Sequence, residues 1–176
     1  MQNKTMNNIV SMNNASPAIF SKPYIEYGEL SQSKMNSEYG KLRHFLNPVA
    51  ELYPNFNAWL SSKYFNRKEE NSRSRIAILA YNQDVIVGAS LLKIDMDEKK
   101  ICTFFISPEF KSRGIGDELM KKSFMRFNDN DEILITCSNE RKDELTPLLN
   151  KSGFIHTHSV LDLYKKNASE FFFLRK

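Results

Sequence analysis

The chain has 176 residues, 41% hydrophobic and 26% charged, with a formal charge of +4. That length supports one domain with a sizeable core and is short for two, and the balance is that of a soluble globular protein. The mild positive charge suits an anionic ligand and is too weak by itself to argue for nucleic acid. No apolar run approaches the ~20 residues that span a bilayer, so no membrane partner is expected. Met1 to Ser16 lacks the continuous apolar core of a secretory signal, which leaves a cytoplasmic location as the expectation. Two cysteines, three histidines and no CxxC argue against a structural metal, so no metal site is assigned.

Residues 1–16 are rich in Asn, Ser and Met without periodicity, and read as a flexible tail. Residues 17–176 read as one domain. Ala18 to Leu30 alternates loosely and reads as a first strand that Gly28 ends. Ser37 to Ala50 spaces Tyr39, Leu42, Leu46 and Val49 for one helix face, and Pro48 breaks it. Asn55 is placed to cap a second helix with Phe56, Trp59, Leu60 and Tyr64 as its apolar stripe. Asn66 to Ser74 is a polar connector.

Arg75 to Tyr81 and Val85 to Ile94 then read as strands joined by an Asn82-Gln83-Asp84 turn. Gly88 marks a bulge or a close backbone approach. Asp95 to Lys100 is a polar turn before a third strand, Ile101 to Ile106, so an antiparallel meander is expected. Glu132 to Cys137 is a buried-type strand, which pairs in parallel if the preceding helix is its crossover. Asp143 to Lys151 is a short helix with Pro147 in its first turn and Gly153 just past its end. Phe154 to Tyr164 and Glu170 to Leu174 are the last strands. The latter, taken as an edge, is open to pairing with a second subunit as a homodimer. Cys102 and Cys137 read as buried, reduced thiols. His156 and His158 alternate on a strand, face one side, and read as edge or surface residues.

The stretch from Ile101 to Phe127, ICTFFISPEFKSRGIGDELMKKSFMRF, organises these elements. Pro108 ends a strand that closes with Phe105 and Ile106, since proline has no ladder N–H. Gly114 and Gly116 open a helix whose apolar face is Ile115, Leu119, Met120, Ser123, Phe124 and Phe127. Such a loop presents unpaired N–H groups and the positive end of a helix dipole, with Lys111 and Arg113 beside it. The physical reading is a phosphate cradle. Neither the GxxxxGK[ST] nor the GxGxxG spacing occurs.

Lys111-Ser112-Arg113-Gly114-Ile115-Gly116, preceded by Ile106-Ser107-Pro108-Glu109-Phe110, resembles the acetyl-CoA loop of the GCN5-related N-acetyltransferase (GNAT) superfamily. Lys111 stands where the family pattern has Arg or Gln. The element order matches over Tyr24 to Lys176, and Leu148 to Phe154 is similar to a second signature. The resemblance implies an α/β (α+β) fold with a mixed, mostly antiparallel sheet of six to seven strands. A central parallel pair would splay around the cofactor, with about four helices. It implies an acetyl-CoA-dependent N-acetyltransferase whose partners are coenzyme A and an amine. The amine is that of a small molecule, a protein or an aminoacyl-tRNA. Phe105, Ile106 and Lys111, Ser112, Arg113, Gly114, Ile115 and Gly116 would bind the acyl donor.

The acid–base positions of the family are not matched. Lys99 to Thr103 holds no carboxylate where many members carry a Glu, and Leu149 stands where many carry a Tyr. Thr103 and Ser138, on strands flanking the cleft, and Tyr164 are the candidate catalytic residues. Each also has an ordinary structural reading, as a strand-end hydroxyl or a rim tyrosine. These gaps keep open a non-catalytic acyl-CoA-binding regulator on the same fold. A third reading is a nucleic-acid module using Lys121, Lys122 and Arg126, against an ordinary solvated helix face.

Overall fold

A computed structural model describes residues 24–30, 34–65 and 74–176. The expected tail, residues 18–23 of the expected first strand and residues 66–73 of the connector lie outside the described residues.

Seven strands form a sheet in the order β1-β2-β3-β4-β5-β7-β6. They are β1 (Ile25–Glu29), β2 (Arg75–Asn82), β3 (Val85–Ile94), β4 (Lys99–Ile106), β5 (Ile133–Ser138), β6 (Ile155–Leu161) and β7 (Ser169–Arg175). β1 to β4 pair antiparallel with one another in succession, β2 to β4 as the short polar turns predict. β4 and β5 are parallel, with helix α4 (Ile115–Phe124) as the crossover between them. β5 pairs with β7, and β7 with β6, antiparallel.

The strands near the centre alternate between two cores. On one face Ile78, Ala80, Ile101, Phe104, Ile133 and Ile135 pack with Ile115, Leu119 and Met120 of α4 and with Leu145 and Leu149 of α5 (Asn139–Lys151). On the other, Ala77, Leu79, Ala89, Leu91 and Phe105 pack under α1 (Met35–Phe45), α2 (Asn47–Ala50) and α3 (Phe56–Leu60). Ser123 lies on the buried stripe of α4, and its hydroxyl meets that of Ser90 on β3 at 2.7 Å. This satisfies both polar groups where water cannot reach.

Gly88 decides how closely α4 can approach. A β-carbon there would lie 2.9 Å from Ile106 Cδ1, 3.2 Å from Ala80 Cβ and 3.5 Å from Ile115 Cγ2. The expected close approach is therefore real, and the register of β2 on β3 also shifts beside it.

Several expectations are corrected. Gly28 pairs with Leu79 within β1 instead of ending it. Pro48 does divide the first helical stretch, standing in the first turn of α2. Asn55 precedes α3 with a left-handed φ of 65° and makes no side-chain cap. The helical path then widens into a π-turn at Ser61–Phe65, which carries Tyr64 into the core. Lys99 and Lys100 already belong to β4.

Helix α5 starts four residues before the expected point, so Pro147 lies in its interior. The carbonyl that proline leaves without a donor belongs to Asp143, an exposed residue on the solvent side of the helix. Glu170 to Leu174 is not an edge: β7 lies between β5 and β6, and β6 is the outer strand. The last hairpin is also bulged. His156 pairs with Phe173 but His158 pairs with Phe172, so Thr157 is an extra residue. The two histidines consequently face opposite sides. His156 meets the rings of Phe171 and Phe173, and His158 stacks on Phe172 at 4.4 Å.

Candidate active site

β4 and β5 pair only from Lys99 to Ile101 and from Ile133 to Ile135. Beyond Ile101, β4 runs five residues further and β5 three, without ladder bonds between them. Strand twist opens such an unpaired segment into a wedge. The β4 edge facing the wedge carries backbone groups that a bound chain of amides can pair with. The other edge of β4 is bulged here: Leu91 pairs with Thr103 and Leu92 with Ile101, leaving Cys102 extra. A bulge re-aims the local backbone, and this one falls at the mouth of the wedge.

The glycine loop lies at the far end of β4. A single 3-10 turn, Pro108–Phe110, leads out of the strand. Ser112 and Gly114 both adopt left-handed φ, 59° and 82°, separated by Arg113. Gly114 occupies the cap position of α4 and supplies no side-chain acceptor, so the first helical N–H groups face outward. A β-carbon at Gly116 would touch Leu148 Cδ2 at 3.4 Å. The residues present fit a diphosphate: a nest of N–H groups at the positive end of a helix dipole, beside two cations. Lys111 Nζ is held by Glu144 Oε1 at 3.1 Å, and the Arg113 guanidinium lies over Phe110.

The wedge opens into a cavity of about 430 Å³ walled by α3 and the turn before it on one side and by α5 on the other. Thr103 and Tyr164 line it, together with Cys102, Tyr53, Trp59, Arg141 and Glu170. Thr103 is buried on β4. Tyr164 is not on β6, which ends at Leu161, but in the loop that follows. Its half-exposed ring packs edge-on against Tyr53 at 5.8 Å. Ser138 ends β5 just behind the cavity, in a small recess shared with Tyr53, Tyr164 and Glu170. The three hydroxyl candidates are therefore brought together, around two residues that sequence reasoning did not single out.

Those two are Tyr53 and Glu170. Tyr53 sits in the turn between α2 and α3, and Glu170 is the second residue of β7, opposite Ser138. The Tyr53 hydroxyl lies 3.2 and 3.3 Å from the two Glu170 carboxylate oxygens, and accepts the Ser138 N–H at 2.9 Å. Burial pushes the Glu170 carboxyl above its ordinary value. The Thr136 hydroxyl, the Tyr53 hydroxyl and the Lys100 charge pull it back. Tyr53 is pushed up by burial and by the Glu170 charge. The available signal for Glu170 was a lone carboxylate opening an otherwise aromatic strand, EFFFLR. Tyr53, between a leucine and a proline in a turn, carried none.

Leu149 is fully buried on the core face of α5 and does not line the cavity. The cysteines are free, and burial raises both thiols, that of Cys137 to about 12. Neither is poised as a thiolate near neutrality. On α4, Lys122 pairs with Glu118 at 3.5 Å and lies over Tyr27, and just past the helix end Arg126 pairs with Glu29. These partners occupy two of the three cations on which a nucleic-acid face would depend.

The family model described as acetyltransferase (GNAT) domain matches residues 47–166. No curated protein matches the chain in sequence. Solved structures share the fold at low identity. One is an acetyltransferase of the GNAT family from Streptococcus pneumoniae, 15% identical over 86% of this chain and 99% of that one, with a TM-score of 0.62. Another is the PaiA N-acetyltransferase of Thermoplasma acidophilum in complex with coenzyme A, 16% identical over 87% and 99%, with a TM-score of 0.59. A chain of the NatC complex bound to Gag peptide and CoA is 15% identical over 86% and 97%, with a TM-score of 0.66. Among the described residues no helix is long and apolar enough to cross a membrane.

Proposed function

Because the chain belongs to the GNAT acetyltransferase domain family, we propose that it transfers an acetyl group from acetyl-CoA to an amine. The observation that carries the reading is the wedge between β4 and β5 beyond Ile101 and Ile135, with the Lys111–Gly116 loop at its outer end. A pantetheine arm has amides to pair with the free edge of β4, along Phe105 and Ile106. A diphosphate has the N–H groups of Ser112 to Gly116 and the charges of Lys111 and Arg113. These contacts are mostly to backbone, so they tolerate Lys111 where the family pattern has Arg or Gln.

Acetyl-CoA is the acyl donor and supplies a thioester carbonyl at the mouth of the wedge. The re-aimed backbone at the Cys102 bulge supports an oxyanion role there. Thr103 and Tyr164 line the cavity on the acceptor side, and Ser138 stands behind it. There Thr103 and Tyr164 orient the amine, while Ser138 holds Tyr53 through its backbone N–H. A second reading, a non-catalytic acyl-CoA sensor, is favoured by the burial of Leu149 at the position where a tyrosine acid would stand.

Calorimetric titration of acetyl-CoA and coenzyme A tests the cradle, with micromolar affinity expected for both. Thiol release in the presence of a panel of primary amines then separates enzyme from sensor. Binding without turnover would support the sensor, and absence of binding would defeat both readings.

A further inference from the structure

We propose that Glu170, positioned by Tyr53, is the group that takes the proton from the acceptor amine. This rests on the acetyltransferase reading and fills the role that no residue early in β4 supplies.

Three observations carry it. Glu170 is only 4% exposed, yet its side chain lines the cavity that opens onto the wedge. Among the described residues no ion pair within 4.0 Å joins it. A buried carboxylate without a salt bridge is costly, and a neutral residue would serve packing better. Second, the Tyr53 oxygen accepts the Ser138 N–H at 2.9 Å, which turns the phenol's own proton toward the carboxylate. Glu170 is thereby held by neutral donors, Tyr53 and Thr136, neither of which neutralises its charge, so it can still take up a proton. Third, Ser138 is the last residue of β5, so the pair stands beside the splayed ends where the thioester and the amine must meet.

Tyr164 and Lys165, from the loop between β6 and β7, share the recess beside Glu170, and four other elements face it. Tyr53 faces it from the α2–α3 turn, Thr136 from β5, Lys100 from β4 and Glu140 from the start of α5. Arg141 and Lys142, also on α5, act on the adjacent Cys137. Burial and Glu140 raise its affinity for a proton, while Lys100, Thr136 and Tyr53 lower it. The result is a carboxylate more basic than an exposed one, as a general base near neutrality requires.

In the step, an alkylammonium gives one proton to the Glu170 carboxylate. Its nitrogen lone pair bonds to the acyl carbon and the carbon–sulfur bond breaks. The nitrogen's second proton neutralises the departing thiolate, and Glu170 returns its own proton to water. The products are an amide, the coenzyme A thiol and one proton.

The test uses the full chain with acetyl-CoA and two probe nucleophiles. One is phenethylamine, protonated at neutral pH, within a panel of primary alkylamines. The other is hydroxylamine, already uncharged at neutral pH. Glu170→Gln should lower kcat/KM for the alkylamine about 100-fold. It should leave hydroxylamine turnover and acetyl-CoA affinity close to wild type. Tyr53→Phe should lower kcat/KM for the alkylamine less than Glu170→Gln does, and should move the acidic limb of kcat to higher pH, because the hydroxyl that lowers the Glu170 carboxyl is gone.

Equal loss with both nucleophiles would mean a structural role and overturn the proposal, as would no loss with either. Wild-type protein that uses hydroxylamine but no alkylamine lacks a working base, which also overturns it. Wild-type protein that uses neither defeats the acetyltransferase reading itself.

Discussion

Lys111 Nζ lies 3.1 Å from Glu144 Oε1, and the same oxygen accepts from Arg141 at 2.8 Å. One acid on α5 thus holds the first cation of the proposed diphosphate loop and a cation of the cavity wall. A bound diphosphate must compete with Glu144 for Lys111. Glu144→Gln should therefore tighten coenzyme A binding, by about 1.5- to 5-fold, the worth of one partly exposed ion pair. The gain should shrink as salt is added, because such pairs are screened. Calorimetry at two ionic strengths reads both effects, and unchanged affinity at low salt would count against the loop as the phosphate site.

The two loop glycines should respond differently to substitution. Gly114 has a φ of 82° in open space, so a side chain there meets backbone strain and no clash. Gly114→Glu adds a negative charge to the cradle and should abolish coenzyme A binding. Gly116→Ala places a methyl 3.4 Å from the tip of Leu148, a contact that a small rotation relieves. It should bind near normally and cost less than about 1 kcal/mol.

Gly88→Ala should destabilise the fold without touching the cavity. The added methyl meets Ile106 at 2.9 Å and Ala80 at 3.2 Å, in the layer where α4 docks. Overpacking of this kind costs about 1–3 kcal/mol. Urea denaturation should show a lower midpoint with an unchanged slope.

Glu170→Gln should stabilise the chain at neutral pH even as it slows catalysis. The folded chain holds the Glu170 proton more tightly than the unfolded chain does, since burial raises its carboxyl. That contribution is complete below the unfolded carboxylate range and is lost as pH rises through the raised value. At neutral pH an ionised Glu170 opposes folding, and glutamine removes the charge while keeping an oxygen for Tyr53. Thermal melts should show the gain at neutral pH, at about 2–4 °C per kcal/mol, and none in acid.

Asp95 carries the opposite sign. Arg75 holds both its oxygens, at 2.7 and 3.1 Å, and Lys93 adds a third contact at 3.3 Å. The carboxyl is lowered from 3.8 to about 2, chiefly by its hydrogen bond from Arg75. Its stabilisation is therefore full above the unfolded value and disappears as pH falls through the folded one, between about 4 and 2. Asp95→Asn should cost about 1–2 kcal/mol at neutral pH and nothing at the acid end of that window. A pH series of melts on both proteins checks it.

Much of this was legible in the residues. Local chemistry decides where proline stops a strand, where Gly114 permits a left-handed cap, and which faces of β2 to β5 and α4 are apolar. Those choices depend on neighbours in sequence, so the meander, the crossover and the loop at the head of α4 could be read in order. The ends of elements were less secure. The start of α5 is expected too late, which puts Pro147 in its first turn, because an interior proline is tolerated only where the freed carbonyl faces solvent, and that exposure leaves no mark on the sequence. The faces of His156 and His158 were misjudged because one inserted residue, Thr157, reverses a period of two. The exchange of β6 and β7 at the sheet edge depends on which strand reaches β5 first, a long-range choice.

The candidate site divides the same way. The proposed cradle at Lys111–Gly116 is a local motif, so the sequence alone determined its glycine positions, its cations and the helix start behind it. The Tyr53–Glu170 pair joins residues 117 positions apart, across a turn, the end of β5 and the start of β7. Its chemistry exists only where the fold removes water from a carboxylate and sets a phenol beside it. Burial and proximity are properties of the packed chain, so only the tertiary structure could decide them.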